Sequence, residues 1–378
     1  MQNRPRSSVI RRQNLGRRGL ISRFSYGFSY GLSYGLRWGL RWGLLLGLGL
    51  LLFPRLGTAA GPAPAAEGRL SRLTPRSWAW VSDEAHSANG ALFVGRDAAL
   101  IVDPGLTPLH ARRFLAAARQ VTDRPLRFIV LTHAHPDHSM GAVCLEETGA
   151  KLVAHPRARR ELAENIAKQL GHLRQPAPAG VDAAARASLA SCRFHLPEPL
   201  ASDKEVIDLG DHQLELRHLG AAHTAGDVVV WSAAERVLAT GDLFLHDASP
   251  AMDGSSTDGW LAALGTLVAL APRQVIPGHF APGQLADLVR FRAYLQAQRD
   301  RAAAALGKGA TVEQVAAQAR FPEFAGFRQH PEYEATFADN ARAVARELSA
   351  RPAAPGERAA RQSGDDCGGG AGKCADRA

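Results

Sequence analysis

The stretch LTHAHPDHSMG, Leu131 to Gly141, gathers three histidines and an aspartate into the six residues His133 to His138. The whole chain has 14 histidines, so three in one turn call for a chemical reason. Imidazole nitrogen and carboxylate oxygen are donors for divalent cations. His133 and His135 are two apart, and in an extended loop residues two apart face the same side. Asp137 and His138 point elsewhere and are free to serve a second ion.

Working outward, RFIVLT (127–132) directly before the motif reads as a strand. ALFVG (91–95), ALIVD (99–103) and KLVAHP (151–156) read as further strands. The segments 108–121 and 158–170 read as helices. A proline- and alanine-rich loop is expected after the second helix. A second strand set follows in EVIDL, HQLELRHL, DVVVWS and RVLATGD, then the helix TDGWLAALGTLVAL and the strand RQVIPGH. Two β-rich halves with interleaved helices predict an α/β sandwich, with two sheets inside and helices outside. Beyond His279 the pattern turns helical over 284–305, 311–319 and 331–349.

Three later strand ends repeat the design of the first. HLGAAHTAGD presents His223, ATGD presents Asp242 and IPGH presents His279. Loops at strand ends carry side chains projected from a rigid sheet. His133, His135 and His223 form a His₃ set suited to Zn²⁺. Asp137, His138 and His279 form a second set. The two oxygens of Asp242 allow it to bridge two ions roughly 3.5–4 Å apart. Such a pair lowers the pKa of a shared water from 15.7 toward about 7 and supplies a nucleophile. Asp137 and Asp242 are therefore the candidate catalytic residues. The remaining nine histidines, His155 and His218 among them, are expected to be surface groups or satisfied core residues.

From Ala79 to Pro282 the chain resembles the metallo-β-lactamase superfamily, through THAHPDH, HTAGD, ATGD and PGH in that order. LIVDPG (100–105) matches an early strand of the family. The resemblance implies a four-layer αββα sandwich with metals at one edge, here as a domain over 69–282 with a helical extension over 283–350. It assigns His133, His135 and His223 to one site and Asp137, His138 and His279 to the other, with Asp242 bridging. It makes Asp103 a supporting residue. One subclass of true β-lactamases has cysteine where Asp242 stands; the aspartate is like that of glyoxalase II, a thioester hydrolase, though no basic cluster is arranged for glutathione. The C-terminal segment FPEFAGFRQHPEYEATFADNARAVARELSA, the stretch DGSSTDGWLAALGTL and the expected export signal together look most like SoxH-like, quinoprotein-associated zinc metallohydrolases.

The formal charge of +9 is misleading about partners. Residues 1–60 carry ten arginines and no lysine or acid, so the rest of the chain stands at −1. Nothing in that balance argues for a nucleic-acid partner. The basic start, the apolar run GLLLGLGLLLF (Gly43 to Phe53) and the small residues after it predict an export signal over 1–66. An uncleaved anchor, giving membrane association through that segment alone, is the alternative. RRGLI (Arg17 to Ile21) leaves the twin-arginine route open beside the general one. The four-residue repeat from Phe24 reads as a low-complexity expansion. A periplasmic or secreted location would let Cys144, Cys192, Cys367 and Cys374 form disulfides. Residues 351–378 are glycine-rich and predicted to be disordered.

The expected function is an exported dinuclear zinc metallohydrolase acting on an amide, thioester, ester or lactone of a small-molecule substrate. Two alternatives stand beside it. One is a persulfide dioxygenase with a single Fe²⁺. The other is a zinc-stabilised maturation or partner protein of a periplasmic quinoprotein system.

Overall fold

The computed structural model describes residues 68–83, 87–145, 148–173, 183–329 and 333–350. The expectations for the export signal, for His86 and His330, for Cys367 and Cys374 and for the 351–378 tail lie outside the described residues.

Side chains alternate along a strand with a period of two, and here both faces of the central strands are apolar. In β4 (Ala99–Val102), Leu100 and Val102 enter one core while Ala99 and Ile101 enter another. In β10 (Val228–Ser232), Val228 and Val230 share the core of Leu100, whereas Val229 and Trp231 enter a third. Three cores separated by two sheets make four layers, and this is the αββα sandwich.

The first sheet runs in order through β1 (Arg69–Arg72), β2 (Ser77–Val81), β3 (Gly90–Val94), β4, β5 (Leu126–Val130), β6 (Lys151–Ala154) and β7 (Glu198–Pro199). It is antiparallel up to β4 and parallel from β4 to β7. The second sheet has the order β12 (Gln274–Pro277), β11 (Val237–Gly241), β10, β9 (Gln213–His218), β8 (Lys204–Asp208). β9 and β11 are each antiparallel to β10, and β12 is parallel to β11. The C-terminal ends of β9, β11 and β12 therefore share one rim, and that rim carries the site.

Helix α1 (Pro108–Arg119) begins where the sequence favours it. Pro108 needs no amide partner in the first turn, and the Thr107 hydroxyl accepts from the His110 amide. α1 covers the outer face of the first sheet with Ala111, Phe114 and Ala118. α3 (Pro156–Leu173) adds Ala158, Leu162 and Ile166. The outer face of the second sheet is covered by α5 (Thr257–Ala269) and α6 (Leu285–Gly307). α7 (Val312–Ala317) and α8 (Tyr333–Ser349) pack onto these. The core is continuous across residue 283. Leu288, Phe291 and Tyr294 of α6 lie in one cluster with Leu238, Val275 and Trp260. The C-terminal helical region thus shares the core of the sandwich.

Two local expectations need correction. Part of the region expected to be loop after α3 forms α4 (Ala183–Ala190); its alanine-rich composition favours helix once the prolines have passed. The sequence reading also passed over β2, SWAWV, whose residues are almost all buried and whose alternation of large and small residues fits a sheet. Among the described residues, no helix is long and apolar enough to cross a membrane.

Candidate metal centre

All seven predicted residues meet at the rim. His133 and His135 follow β5, and Asp137 and His138 lie in α2 (Pro136–Ser139). His223 sits in the turn after β9, Asp242 directly after β11 and His279 two residues after β12. His133, His135, His223 and Asp242 form one group of donors. Asp137, His138 and His279 form another.

Asp242 faces both groups with different oxygens. Its Oδ2 lies 3.5 Å from His223 Nε2 and 4.0 Å from His133 Nε2. Its Oδ1 lies 3.1 Å from His138 Nε2 and 3.6 Å from His279 Nε2. His223 Nε2 is 3.0 Å from His135 Nδ1, and His279 Nε2 is 3.1 Å from Asp137 Oδ2. Two donors each about 2.0–2.1 Å from one tetrahedral cation stand roughly 3.3–3.4 Å apart, which lies within these separations. His133 Nε2, His138 Nε2 and Asp242 Oδ1 are buried with no hydrogen-bond partner. Buried polar atoms are nearly always satisfied, so orphans turned toward one another fit a metal pair.

The surrounding groups fix how each ring is presented. Asp103 accepts from the Thr132 amide at 2.8 Å and the Thr132 hydroxyl at 2.6 Å. Its Oδ2 also receives His138 Nδ1 at 2.8 Å, which turns Nε2 into the site. With its proton given to Asp103, the Thr132 hydroxyl accepts from His133 Nδ1 at 3.0 Å, leaving His133 Nε2 bare. Such partners on the far nitrogen fix the tautomer and orientation of metal-binding histidines. Asp103 adopts φ 45° to do this. Gly241 has φ 52°, and a Cβ there would strike the Thr132 side chain. A Cβ on Gly278 would strike the Asp242 carboxylate, so glycine is needed for the close approach.

The loop carrying His223 is tied down at both ends. Asp227 accepts from the Thr224 amide and hydroxyl, the latter at 2.6 Å, and burial pushes its carboxyl up to about 7. The Ser255 hydroxyl donates to the His223 carbonyl, and Trp260 packs against the His223 ring with Nε1 bonded to the Leu243 carbonyl. The segment 245–260 is held in turn by the helical region. Ser249 Oγ is 2.6 Å from Tyr294 Oη, and Asn340 Nδ2 donates to Ser249 Oγ and the Pro250 carbonyl.

Sequence reasoning missed Asn89. Its amide donates to the Gly278 carbonyl, and its side chain donates to the carbonyls of Pro277 and Phe280. It clamps the turn that presents His279. An Asn-Gly pair before a strand reads only as a turn, and nothing local marks it as a clamp.

Charge is divided unevenly among the donors. Burial lowers the pKa of His133 far below its usual value, and it lowers that of His223 to about 3. For His138 burial is outweighed by Asp137, Asp242 and Asp103, and its pKa stands well above the ordinary value. His279 is raised as well, because Asp242 and Asp137 overcome its burial. Burial would raise the carboxyl of Asp137, but His138 and His279 hold it at about 2; Asp242 is depressed by His138, His279 and His223. Because the pKa values of His138 and His279 are both raised, cation loading should release protons and weaken as pH falls. Calorimetric titration in buffers of different ionisation heat checks this; heats independent of the buffer would contradict it.

Phe280, next to His279, has φ 72° and an exposed ring. A left-handed conformation costs a non-glycine residue about 1–3 kcal/mol, and strain of this kind clusters at functional sites. Phe280→Gly should stabilise the fold by about 1 kcal/mol after glycine's own entropy is deducted. Denaturant unfolding reads this directly, and a destabilised variant would contradict the strain.

The sequence matches the metallo-beta-lactamase superfamily profile over residues 84–279. The chain belongs to the metallo-beta-lactamase superfamily. It is 24% identical over 231 residues to the metallo-beta-lactamase type 2 of Bacillus cereus, covering 58% of this chain and 77% of that one. It is 28% identical over 213 residues to the acyl-coenzyme A thioesterase MBLAC2 of Gallus gallus, covering 52% of this chain and 74% of that one. Among solved structures, the metallo-beta-lactamase from Pontibacter korlensis is similar at a TM-score of 0.49 and 19% identity, covering 61% of this chain and 99% of that one.

Proposed function

We propose that this protein is an exported dinuclear zinc metallohydrolase that cleaves an amide, thioester, ester or lactone in a small-molecule substrate. The observation that carries the reading is the placement of the two Asp242 oxygens, one toward each set of donors. His133, His135 and His223 would hold one ion; Asp137, His138 and His279 would hold the other. When bound, such a pair supplies Lewis-acid polarisation and a water with its pKa brought toward about 7.

The chain's own groups prepare that chemistry. Thr132 and Asp103 leave the Nε2 lone pairs of His133 and His138 facing inward. Asp137 is partly exposed at the mouth of the site and is kept ionised by His138 and His279, so its carboxylate would be available as a donor to the second ion. Trp260 and the 245–260 segment keep His223 in place, and Phe280 offers an apolar surface beside His279. The similarity to a β-lactamase and to an acyl-thioesterase supports amide and thioester substrates first.

The Cys144–Cys192 disulfide supports export, because such bonds persist in oxidising compartments. The N-terminal basic and apolar pattern supports the same reading. A quinoprotein neighbour in the periplasm rests on the sequence resemblance alone.

The experiment is metal analysis of protein purified without added metal, followed by a panel of thioester, lactone and β-lactam substrates. About two zinc ions per catalytic centre with turnover on one of these classes is expected. One iron with oxygen uptake on a persulfide would overturn the reading in favour of the dioxygenase.

A further inference from the structure

The chain sets a large apolar side chain where its backbone favours glycine. Among the described residues, five non-glycine positions have positive φ: Asp103, Arg236, Asp247, Ala271 and Phe280. Phe280, at 72°, is the sole aromatic of the five. For a bulky residue this conformation is rare and costly. Burial does not offset the cost, because Phe280 is 42% exposed.

Nor is the backbone there left loose. The Asn89 side chain donates to the Phe280 carbonyl at 2.6 Å, and His246 Nδ1 donates to the Ala281 carbonyl at 2.9 Å. Val275 and Gly283 exchange both backbone bonds at 2.8 Å and so close the turn that carries Phe280. The strained residue is therefore fixed from three directions.

The donors show which side of the centre is open. His133, His138 and His223 are almost fully enclosed, whereas the side chains of Asp137 and His279 keep 26% and 24% of their surface. The Phe280 ring stands on this open side, with its centroid 6.3 Å from that of His279. Small-molecule sites combine a few polar groups with apolar lining, and a surface fixed in advance binds at a lower entropy cost.

We propose that Phe280 is a specificity-determining residue that receives an apolar acyl chain of the substrate at the mouth of the metal centre. This rests on the hydrolase reading and narrows its substrate class to compounds with an aliphatic acyl part several carbons long. The donors would take the polar head, and Phe280 would select the chain.

The test uses metal-loaded full-length protein and two series of probes. Calorimetry measures binding of the free carboxylates from butanoate to octanoate, which needs no turnover. Kinetics follows the matching acyl thioesters of one common thiol. Wild type is expected to bind octanoate roughly tenfold more tightly than butanoate, since a partly buried methylene contributes about twofold in affinity. At matched metal content, Phe280→Ala should flatten that gradient to about twofold or less and raise KM most for the longest thioesters. Phe280→Gly, which removes ring and strain together, should do the same, so poor folding of one variant does not decide the outcome. Phe280→Leu, still apolar, should restore most of the gradient. No gradient in wild type, an unchanged gradient in Phe280→Ala, or equal weakening at every length would overturn the proposal. A gradient in binding without turnover of any thioester would support the role of Phe280 and count against thioester hydrolysis, so the two failures are told apart.

Discussion

Asp242→Ala is expected to lower turnover by roughly a thousandfold or more while the fold survives. The carboxylate reaches both donor sets, at 3.1 Å from His138 Nε2 and 3.5 Å from His223 Nε2. In the proposed two-metal centre, removing it would leave two cations without the anion between them. The second set is then reduced to Asp137, His138 and His279, and its ion should be lost. Loss of one Lewis acid costs several kcal/mol of transition-state stabilisation, and about 4 kcal/mol is a thousandfold in rate. The fold does not depend on Asp242 in the same way, because its neighbours are the metal donors rather than the three apolar cores. Turnover, metal content and melting of one preparation check all three parts. Unchanged turnover in a variant with verified metal content would contradict the role given to Asp242.

Cys192→Ser has the largest expected effect on stability. The Cys144–Cys192 bond joins the short 3-10 turn Ala142–Cys144, just after α2, to the segment after α4. The partners are 48 residues apart, and closing a loop of that length removes unfolded-chain entropy of roughly 4 kcal/mol. In a domain of this size the loss should lower the melting temperature by roughly 10 °C. The bond also steadies the base of the turn that carries Asp137 and His138, so metal retention should fall with stability. Melting of wild type with and without reductant, beside the variant, measures the effect. Equal melting in all three would mean that the bridge contributes nothing and would remove one support for export.

The metal-donor cluster was legible because each donor follows a strand that can be read by its own period. HAHPDH after RFIVL, and single donors after QLELR, RVL and RQV, specify both the sheet ends and the chemistry. The four layers were legible for a related reason: VVVW and ALIV are apolar at every position, which fits strands buried on both faces. The supporting contacts were not legible. Asn89 reaches Pro277 and Phe280 across almost two hundred residues of sequence. Asn340 reaches Ser249 in the same way. Four cysteines allow three complete pairings, and only the fold brings Cys144 to Cys192. Long-range contacts of this kind leave no periodic trace in the chain.

The most direct measurement is a crystal structure of metal-loaded protein with anomalous diffraction at the zinc edge. Two peaks at the rim are expected, one among His133, His135 and His223 and one among Asp137, His138 and His279, with the Asp242 carboxylate between them. A single peak, or Asp242 or His279 turned away from the others, would contradict the shared two-metal centre.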